Sequence, residues 1–383
     1  MQYAKRLAVA VILVITCMLA SGCWNYREID EFAIVAGTAL DIHEDGTLHV
    51  TVEVVDIAAD GQISYKPIYL EADGKSLFDA IRQIVSMDGK RLYWSHAKLI
   101  ILSQKIAEQD VSKYLDFFYR DAETRVDIWM VVSMEKTAEE VLRSKGQLKP
   151  IISFQIDDTM RSQKSISRFP YIELYEFFDR LFYENISPVL PTVRLVEQNN
   201  EKTPQVEGTA IFKDKKLIGT LDAEDTRCML WLRNELKGGV LVIKNVADTG
   251  DDVTLEIFKS KTEVTPILED GIFTIKANVE MTVNIGEING STNFMSEDGV
   301  KKLKAAAEKQ IETEIEATFE KVRDKYDSDI FGFGRKVDMK MPYVWNQIKN
   351  DWDEMFSEVQ LEVNVDVNIR GSATIKTPLK VGD

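Results

Sequence analysis

Cys23 is the residue whose chemistry and position tell most about this sequence. It directly follows the small residues Ala20-Ser21-Gly22, and these follow an apolar run from Leu7 to Leu19. A cysteine thiolate is a nucleophile that can accept a lipid, and small residues before it fit the groove of a signal peptidase. A short basic start precedes the apolar run, as in an export signal. We therefore predict that residues 1–22 are a cleaved signal.

The arrangement around Cys23 resembles a bacterial lipoprotein signal, in which the thiol is diacylated and the chain is cut before the cysteine. The apolar run is shorter than the roughly 20 residues that a membrane-spanning helix needs. The alternative is an ordinary secreted protein in which Cys23 has no special role. As a lipoprotein, the chain is held on a membrane by acyl groups, because each buried CH₂ contributes about 0.8 kcal/mol.

The charge balance excludes nucleic acid as a partner. The chain of 383 residues has 63 acidic and 47 basic side chains and a formal net charge of −16. Binding to nucleic acid or broad adhesion to anionic lipid needs clustered Lys and Arg, so we expect membrane attachment through the anchor alone. Once Cys17 is removed and Cys23 is lipidated, Cys228 remains without a disulfide partner, and we predict that it is a buried packing residue.

A search for catalytic and metal-binding motifs finds none. The histidines, His43, His49 and His96, have no His or Cys partner at ligand spacing in the sequence, so we predict neither a metal site nor a cofactor. The sequence also lacks GxSxG, HExxH and a phosphate-binding glycine-rich loop. His96 is either a hydrogen-bonded structural residue or a general base, and its position beside Trp94 favours the structural role. We therefore predict no enzymatic activity.

Strand and helix patterns alternate in the first half of the chain. Apolar residues alternate from Leu48 to Val54, and a turn at 44–46 joins this run to an earlier apolar run at 32–40, which predicts a β-hairpin. Ser76 is placed to cap a helix, a further helix is predicted at 111–119, and buried strands are predicted at 99–102 and 126–132. This half is predicted to be mixed α and β, with one or two subdomains.

The second half shows the clearest strand pattern. Apolar residues alternate with polar ones at 273–285 and again at 359–369, as in strands with one buried and one wet face. Between them, Ser296 precedes a long helix with one apolar stripe that extends to Tyr326. The predicted fold class is α+β, with a C-terminal antiparallel sheet that is covered by one long helix.

These patterns predict a division of the chain into successive regions. A polar segment around Asn199-Asn200-Glu201-Lys202 is the best candidate for a linker. The predicted regions are a signal peptide at 1–22, an N-terminal region at 23–198, a linker at 199–205, a C-terminal domain at 206–376 and a tail at 377–383.

Several sequence blocks, in the same order, resemble the Ger(x)C lipoproteins, the C subunits of bacterial spore germinant receptors. The resemblance runs from Cys23 to about Ile375. Its blocks are Cys23-Trp24-Asn25-Tyr26-Arg27-Glu28-Ile29, Arg91-Leu92-Tyr93-Trp94-Ser95-His96, Asp116-Phe117-Phe118-Tyr119-Arg120-Asp121, Gly208-Thr209-Ala210-Ile211-Phe212-Lys213 and Phe331-Gly332-Phe333-Gly334.

The resemblance implies a function. Members of this family are anchored on the outer face of the inner spore membrane, where they join a polytopic A subunit and an integral-membrane B subunit that respond to nutrients. It also implies an α+β fold of about three domains and no catalysis, and it leaves open whether this subunit itself binds a small molecule. Two alternatives from other classes are a solute-binding lipoprotein of a transporter and an envelope hydrolase.

Exposed polar and aromatic residues in two of these blocks are the candidates for contact with partner subunits. The alternative is that they hold the first domain together. The candidates are Trp24, Arg27, Glu28, Arg91, Trp94 and His96.

Overall fold

The computed structural model describes residues 2–19, 28, 31–58, 64–182 and 186–372. The lipid-attachment candidate Cys23, together with Trp24 and Arg27, lies outside the described residues. The apolar part of the predicted signal belongs to an exposed helix, α1 (Gln2–Leu19). No helix in the described ranges combines the length and the hydropathy needed to cross a bilayer.

The first sheet occupies the N-terminal half and continues past it. In the described residues it has nine strands, in the order β3-β2-β1-β5-β6-β7-β8-β9, with β4 beside β1. Its strands are β1 (Phe32–Ile42), β2 (Leu48–Ala58), β3 (Ser64–Gly74), β4 (Arg91–Tyr93), β5 (Leu99–Leu102), β6 (Trp129–Ser133), β7 (Val189–Gln198), β8 (Glu201–Lys213) and β9 (Lys216–Leu221). The hairpin β1–β2 confirms the one that the sequence predicts at residues 44–46, and β8–β9 form a further hairpin.

Helices cover both faces of this sheet. Its central strands β1, β5, β6 and β7 run parallel, and such strands are buried on both sides. The helices of this half are α2 (Leu77–Asp88), α3 (Gln104–Ala107), α4 (Ser112–Arg120), α5 (Ala138–Leu142), α6 (Ile152–Arg161), α7 (Gln163–Ile166) and α8 (Leu174–Phe182). Within β5, Ile100 and Leu102 pack in one apolar cluster with α2 and α4, whereas Leu99 and Ile101 pack in another with α5 and α6.

The predicted linker at 199–205 is wrong in its local structure. Asn199 and Asn200 both have positive φ and form the two-residue turn between β7 and β8, which pair in register from Gln198 and Glu201 onward. Asn tolerates the left-handed conformation that such a hairpin turn needs. The boundary drawn at 206 therefore cuts through β8, and β8 and β9 belong to the first sheet.

The second sheet carries the long alternating strands. In the described residues its order is β10 (Gly239–Ile243), β11 (Asp252–Glu269), β12 (Ile272–Asn289) and β13 (Gln360–Ser372). The first three strands pair antiparallel as predicted, but the prediction of an antiparallel sheet is wrong for β13, which is parallel to β12. Parallel neighbours need a crossover connection, and the segment between β12 and β13 provides it.

That crossover contains the predicted long helix. The helices of the second half are α9 (Ala223–Leu232), α10 (Glu297–Tyr326), α11 (Phe333–Lys340), α12 (Pro342–Ile348) and α13 (Trp352–Phe356). The Ser296 side chain caps α10 by accepting a hydrogen bond from the Gly299 N–H, as predicted. The buried stripe of α10 joins the apolar cluster of the second sheet, which confirms the α+β class with one helix covering this sheet.

Two buried carboxylates on the first sheet hold the starts of helices that lie far away in sequence. Asp41 on β1 accepts hydrogen bonds from the N–H groups of Ala138 (2.8 Å) and Glu139 (3.0 Å) at the start of α5. Glu53 on β2 accepts bonds from Ile152 N–H (2.9 Å) and from Ser153 N–H (2.9 Å) and Oγ (2.6 Å) at the start of α6. These carboxylates satisfy N–H groups that the helices themselves leave unpaired.

A third buried carboxylate organises the second half. Asp329 is fully buried and accepts hydrogen bonds from Gly332, Phe333 and Gly334 N–H at the start of α11 and from the Trp352 indole of α13. Burial raises the pKa of Asp329, and the backbone and indole donors oppose that rise. One side chain therefore fixes the relative positions of α11 and α13.

We predict that Gly37→Ala destabilises the fold by about 1–3 kcal/mol, because a methyl group there would overlap the Ser153 side chain that binds Glu53. Urea unfolding of the full chain in detergent measures the change in the free energy of unfolding. Gly286→Ala is the matched control, since its added methyl group would meet only the Thr254 carbonyl oxygen at 3.5 Å. Equal stability of the two variants would contradict the close packing of α6 on β1.

We predict that Asp329→Asn lowers the free energy of unfolding by about 1–3 kcal/mol, because the amide NH₂ would face N–H donors. The control is Asp324→Asn, whose exposed carboxylate pairs only with its neighbour Arg323 among the contacts of the described residues. We expect the control to change stability by less than about 0.5 kcal/mol. A loss of similar size in both variants would show that the buried network adds nothing specific.

Candidate functional site

One exposed surface is built where β1 begins. Parallel pairing places Phe32 of β1 opposite Arg91 of β4. The rings of Phe32 and Tyr93 lie 5.5 Å apart, and those of Tyr93 and His96 lie 5.8 Å apart. Arg91 is exposed and forms an ion pair with Glu123 from the loop after α4. We call this group, Phe32, Arg91, Tyr93, His96 and Glu123, the β1-start surface.

The structure separates the partner-contact candidates into different groups. Arg91 and His96 lie on the β1-start surface, and Glu28 is exposed just before β1, where its carbonyl accepts a hydrogen bond from Glu31 N–H. Whether these residues contact a partner stays a prediction.

Trp94 does not belong to an exposed contact surface, contrary to the sequence-based hypothesis. It is 2% exposed and makes edge contacts with Phe117 (5.8 Å between ring centroids) and Phe118 (5.7 Å). The short 3-10 turn at Trp94–His96 directs the indole into the core and leaves His96 outside. The alternative in which this residue holds the first domain together is therefore the correct one for Trp94.

Aromatic side chains extend from this core to the protein surface. The ring of Phe78 on α2 lies 6.1 Å from Phe117, and the ring of Tyr119 on α4 lies 4.9 Å from Phe178 on α8. Phe178 also stacks on Phe182 at 6.2 Å. Phe78, Tyr119 and Phe182 are each at least half exposed, so we call these three the aromatic rim. Large exposed rings are enriched at protein interfaces.

A cavity of about 620 Å³ lies between the two halves of the chain. Arg180 of α8 lines it, and burial together with the nearby Arg233 lowers the pKa of Arg180 to about 9. Lys213 pairs with Asp327 (2.8 Å) and Asp353 (3.8 Å) at the same cavity. Basic and acidic side chains from both halves line this cavity, so the arrangement is that of a polar junction between the two halves.

Two histidines that the sequence does not pair come together at one corner of the first sheet. His43 Nε2 lies 3.0 Å and His49 Nδ1 lies 2.8 Å from the same oxygen of Asp73. The other ring nitrogen of His49, Nε2, is 3.7 Å from a Glu139 oxygen. The turn after β1 and the register of β2 with β3 create this group, which spacing in the sequence does not reveal.

Cys228 has the packing role that the sequence predicts. It lies buried in α9, and burial raises the pKa of its thiol to about 12. The raised pKa keeps the Cys228 thiol protonated at neutral pH. It is therefore unreactive, because the thiolate is the reactive form of cysteine.

Comparisons with known proteins agree with this architecture. Residues 25–195 match the model "Spore germination protein N-terminal domain", and residues 207–373 match "Spore germination B3/ GerAC like, C-terminal". The boundary between the two matches falls in the β7–β8 hairpin.

Curated relatives and a solved structure cover nearly the whole chain. The chain is similar to spore germination protein B3 of Bacillus subtilis (strain 168), at 26% identity over 92% of this chain and 95% of the relative. It is similar to spore germination protein KC of the same organism, at 22% identity over 98% of both chains. The crystal structure of the GerBC protein has the same fold, with a TM-score of 0.58 over 87% of this chain, 97% of that chain and 23% identity. This chain belongs to the Ger(x)C family of spore germination proteins.

Proposed function

We propose that this chain is the lipid-anchored, non-catalytic C subunit of a spore germinant receptor. It acts with a polytopic A-type subunit and an integral-membrane B-type subunit in nutrient-triggered germination. The observation that carries the proposal is that the two family models match the chain in succession, from residue 25 to residue 373. The proposed location is the outer face of the spore inner membrane.

Chain length connects the proposed anchor to the β1-start surface. The residues between Cys23 and Phe32 can span at most about 30 Å when fully extended. A lipid on Cys23 would therefore keep this surface within about 30 Å of the membrane, where membrane-embedded partners present their outer loops. This proximity supports a role for Arg91 and His96 in partner contact.

The fold gives less support to a solute-binding lipoprotein. Such a protein binds its ligand between two similar α/β lobes. Here, among the described residues, one sheet has nine strands with helices on both faces and the other has four strands and one long covering helix. Charged side chains of both signs line the cavity between the halves, and Lys213 and Asp353 pair with each other there.

The anchor is tested first. We predict that Cys23→Ala abolishes both retention in the spore membrane and the germination response to a panel of nutrients, because acyl chains supply the membrane affinity. Immunoblots of spore membrane fractions and loss of spore refractility measure the two effects. Cys228→Ala is the control, since its thiol is buried and cannot carry a lipid. Normal retention and germination of Cys23→Ala would overturn the proposal.

The β1-start surface is tested separately. We predict that Arg91→Glu lowers the recovery of A-type and B-type subunits in pull-downs at least tenfold, because it reverses the charge at the proposed contact. Arg194→Glu is the matched control, since Arg194 is also exposed and ion-paired but lies on β7. If both variants recovered the partners as wild type does, this surface would not be the contact.

A further inference from the structure

We propose that His43, His49 and Asp73 form a binding site for a divalent transition-metal ion of the Zn²⁺ type. The ligands are the Nε2 atom of His43, the Nδ1 atom of His49 and a carboxylate oxygen of Asp73. These atoms all lie within 4.8 Å of one another. The proposal is independent of the proposed receptor role, because it rests only on this corner of the first sheet.

Rigid elements of the fold place all three ligands. His49 on β2 is directly opposite Asp73 on β3, and such cross-strand neighbours have side chains in contact. His43 lies in the β1–β2 turn, which is closed by hydrogen bonds from His43 N–H to the Thr47 carbonyl (2.9 Å) and from Gly46 N–H to the His43 carbonyl (3.1 Å). Ligands on paired strands and a closed turn need little ordering when an ion binds.

The distances suit a small ion after a slight separation of the ligands. Atoms that each bind Zn²⁺ at about 2.0–2.1 Å in a tetrahedral site lie about 3.3 Å apart. His43 Nε2 and His49 Nδ1 are now 3.0 Å and 2.8 Å from the Asp73 oxygen. Side-chain movements of a few tenths of an ångström would bring both imidazole–carboxylate distances to that value. Imidazole and carboxylate together favour Zn²⁺ and its first-row neighbours over Mg²⁺ or Ca²⁺, which prefer oxygen ligands alone.

The second nitrogen of His49 faces a hydroxyl group and, just beyond hydrogen-bond distance, a carboxylate. Its Nε2 lies 3.4 Å from the Thr51 hydroxyl and 3.7 Å from a Glu139 oxygen. A carboxylate on the far side of a metal-binding imidazole orients the ring and raises its basicity. Glu139 is held there because its backbone N–H bonds to Asp41, the carboxylate at the start of α5.

Charge at this corner also favours a cation. Arg143 forms ion pairs with both Glu71 and Glu139. Among the described residues, the side chains of His43 and His49 contact the Asp73 carboxylate. The carboxylates of Asp73, Glu71 and Glu139 thus outnumber the one guanidinium of Arg143 at this corner, and a divalent ion would add positive charge there. His43 and Asp73 are half exposed, so the ion can enter from solvent.

Zinc binding to histidine variants tests the proposal. The sequence has three histidines, and His96 is the matched control because it is exposed and lies outside this cluster. ZnCl₂ is titrated into the full chain in detergent by calorimetry, with metal content measured after dialysis. We expect wild type and His96→Ala to bind one equivalent with equal affinity. His43→Ala and His49→Ala should lose at least tenfold in affinity, as should the isosteric Asp73→Asn.

Glu139→Gln tests the outer partner of His49 without removing a ligand. We expect it to keep one equivalent of zinc but to bind about tenfold more weakly. Imidazole NMR signals give a second readout, in which zinc should shift those of His43 and His49 but not that of His96. Far-UV circular dichroism checks that each variant is folded. The proposal would be overturned if wild type failed to retain zinc. It would also be overturned if His43→Ala and His49→Ala bound zinc with the same affinity as wild type.

Discussion

The fold depends on three buried carboxylates that bind the first N–H groups of helices, two of which are distant in sequence. Asp41 and Glu53 project from neighbouring strands and hold the starts of α5 and α6, and Asp329 does the same for α11. A buried carboxylate is costly unless several donors surround it, and a helix start supplies such donors together with a favourable dipole. Each of these contacts therefore satisfies the carboxylate and the helix at once.

These contacts also determine where the surface groups lie. Because Asp41 fixes the start of α5, Glu139 lies beside His49, and the pair of histidines becomes part of a larger ionic corner with Asp73. Because Glu53 draws Ser153 against β1, only glycine fits at position 37. Packing in the first sheet and the arrangement of its surface thus have a common origin.

The two halves of the molecule are joined rather than separated by a flexible linker. The β7–β8 hairpin carries the chain from one family match to the next, and β8 and β9 complete the first sheet before α9 begins. Tyr326 at the end of α10 donates a hydrogen bond to the Thr220 carbonyl of β9 (3.0 Å). Ser187 N–H likewise bonds to the Asp329 carbonyl (2.9 Å). These two hydrogen bonds join the halves directly.

Local patterns in the sequence correctly predicted the first hairpin, the Ser296-capped helix, the long alternating strands and the burial of Cys228. Those features depend on periodicity, capping and composition within a few residues, which a sequence displays directly. The sequence blocks also identified the family, since their order along the chain is itself specific.

Tertiary structure alone decided which residues meet across long separations. The burial of Trp94 depends on Phe117 and Phe118, and the approach of His43 and His49 depends on the turn after β1 and their shared contact with Asp73 on β3. The Asn199-Asn200 turn reads as a linker in the sequence because turns and linkers share polar residues, and only strand pairing distinguishes them. Local sequence determined the elements of this protein, whereas burial and pairing between distant segments determined its sites.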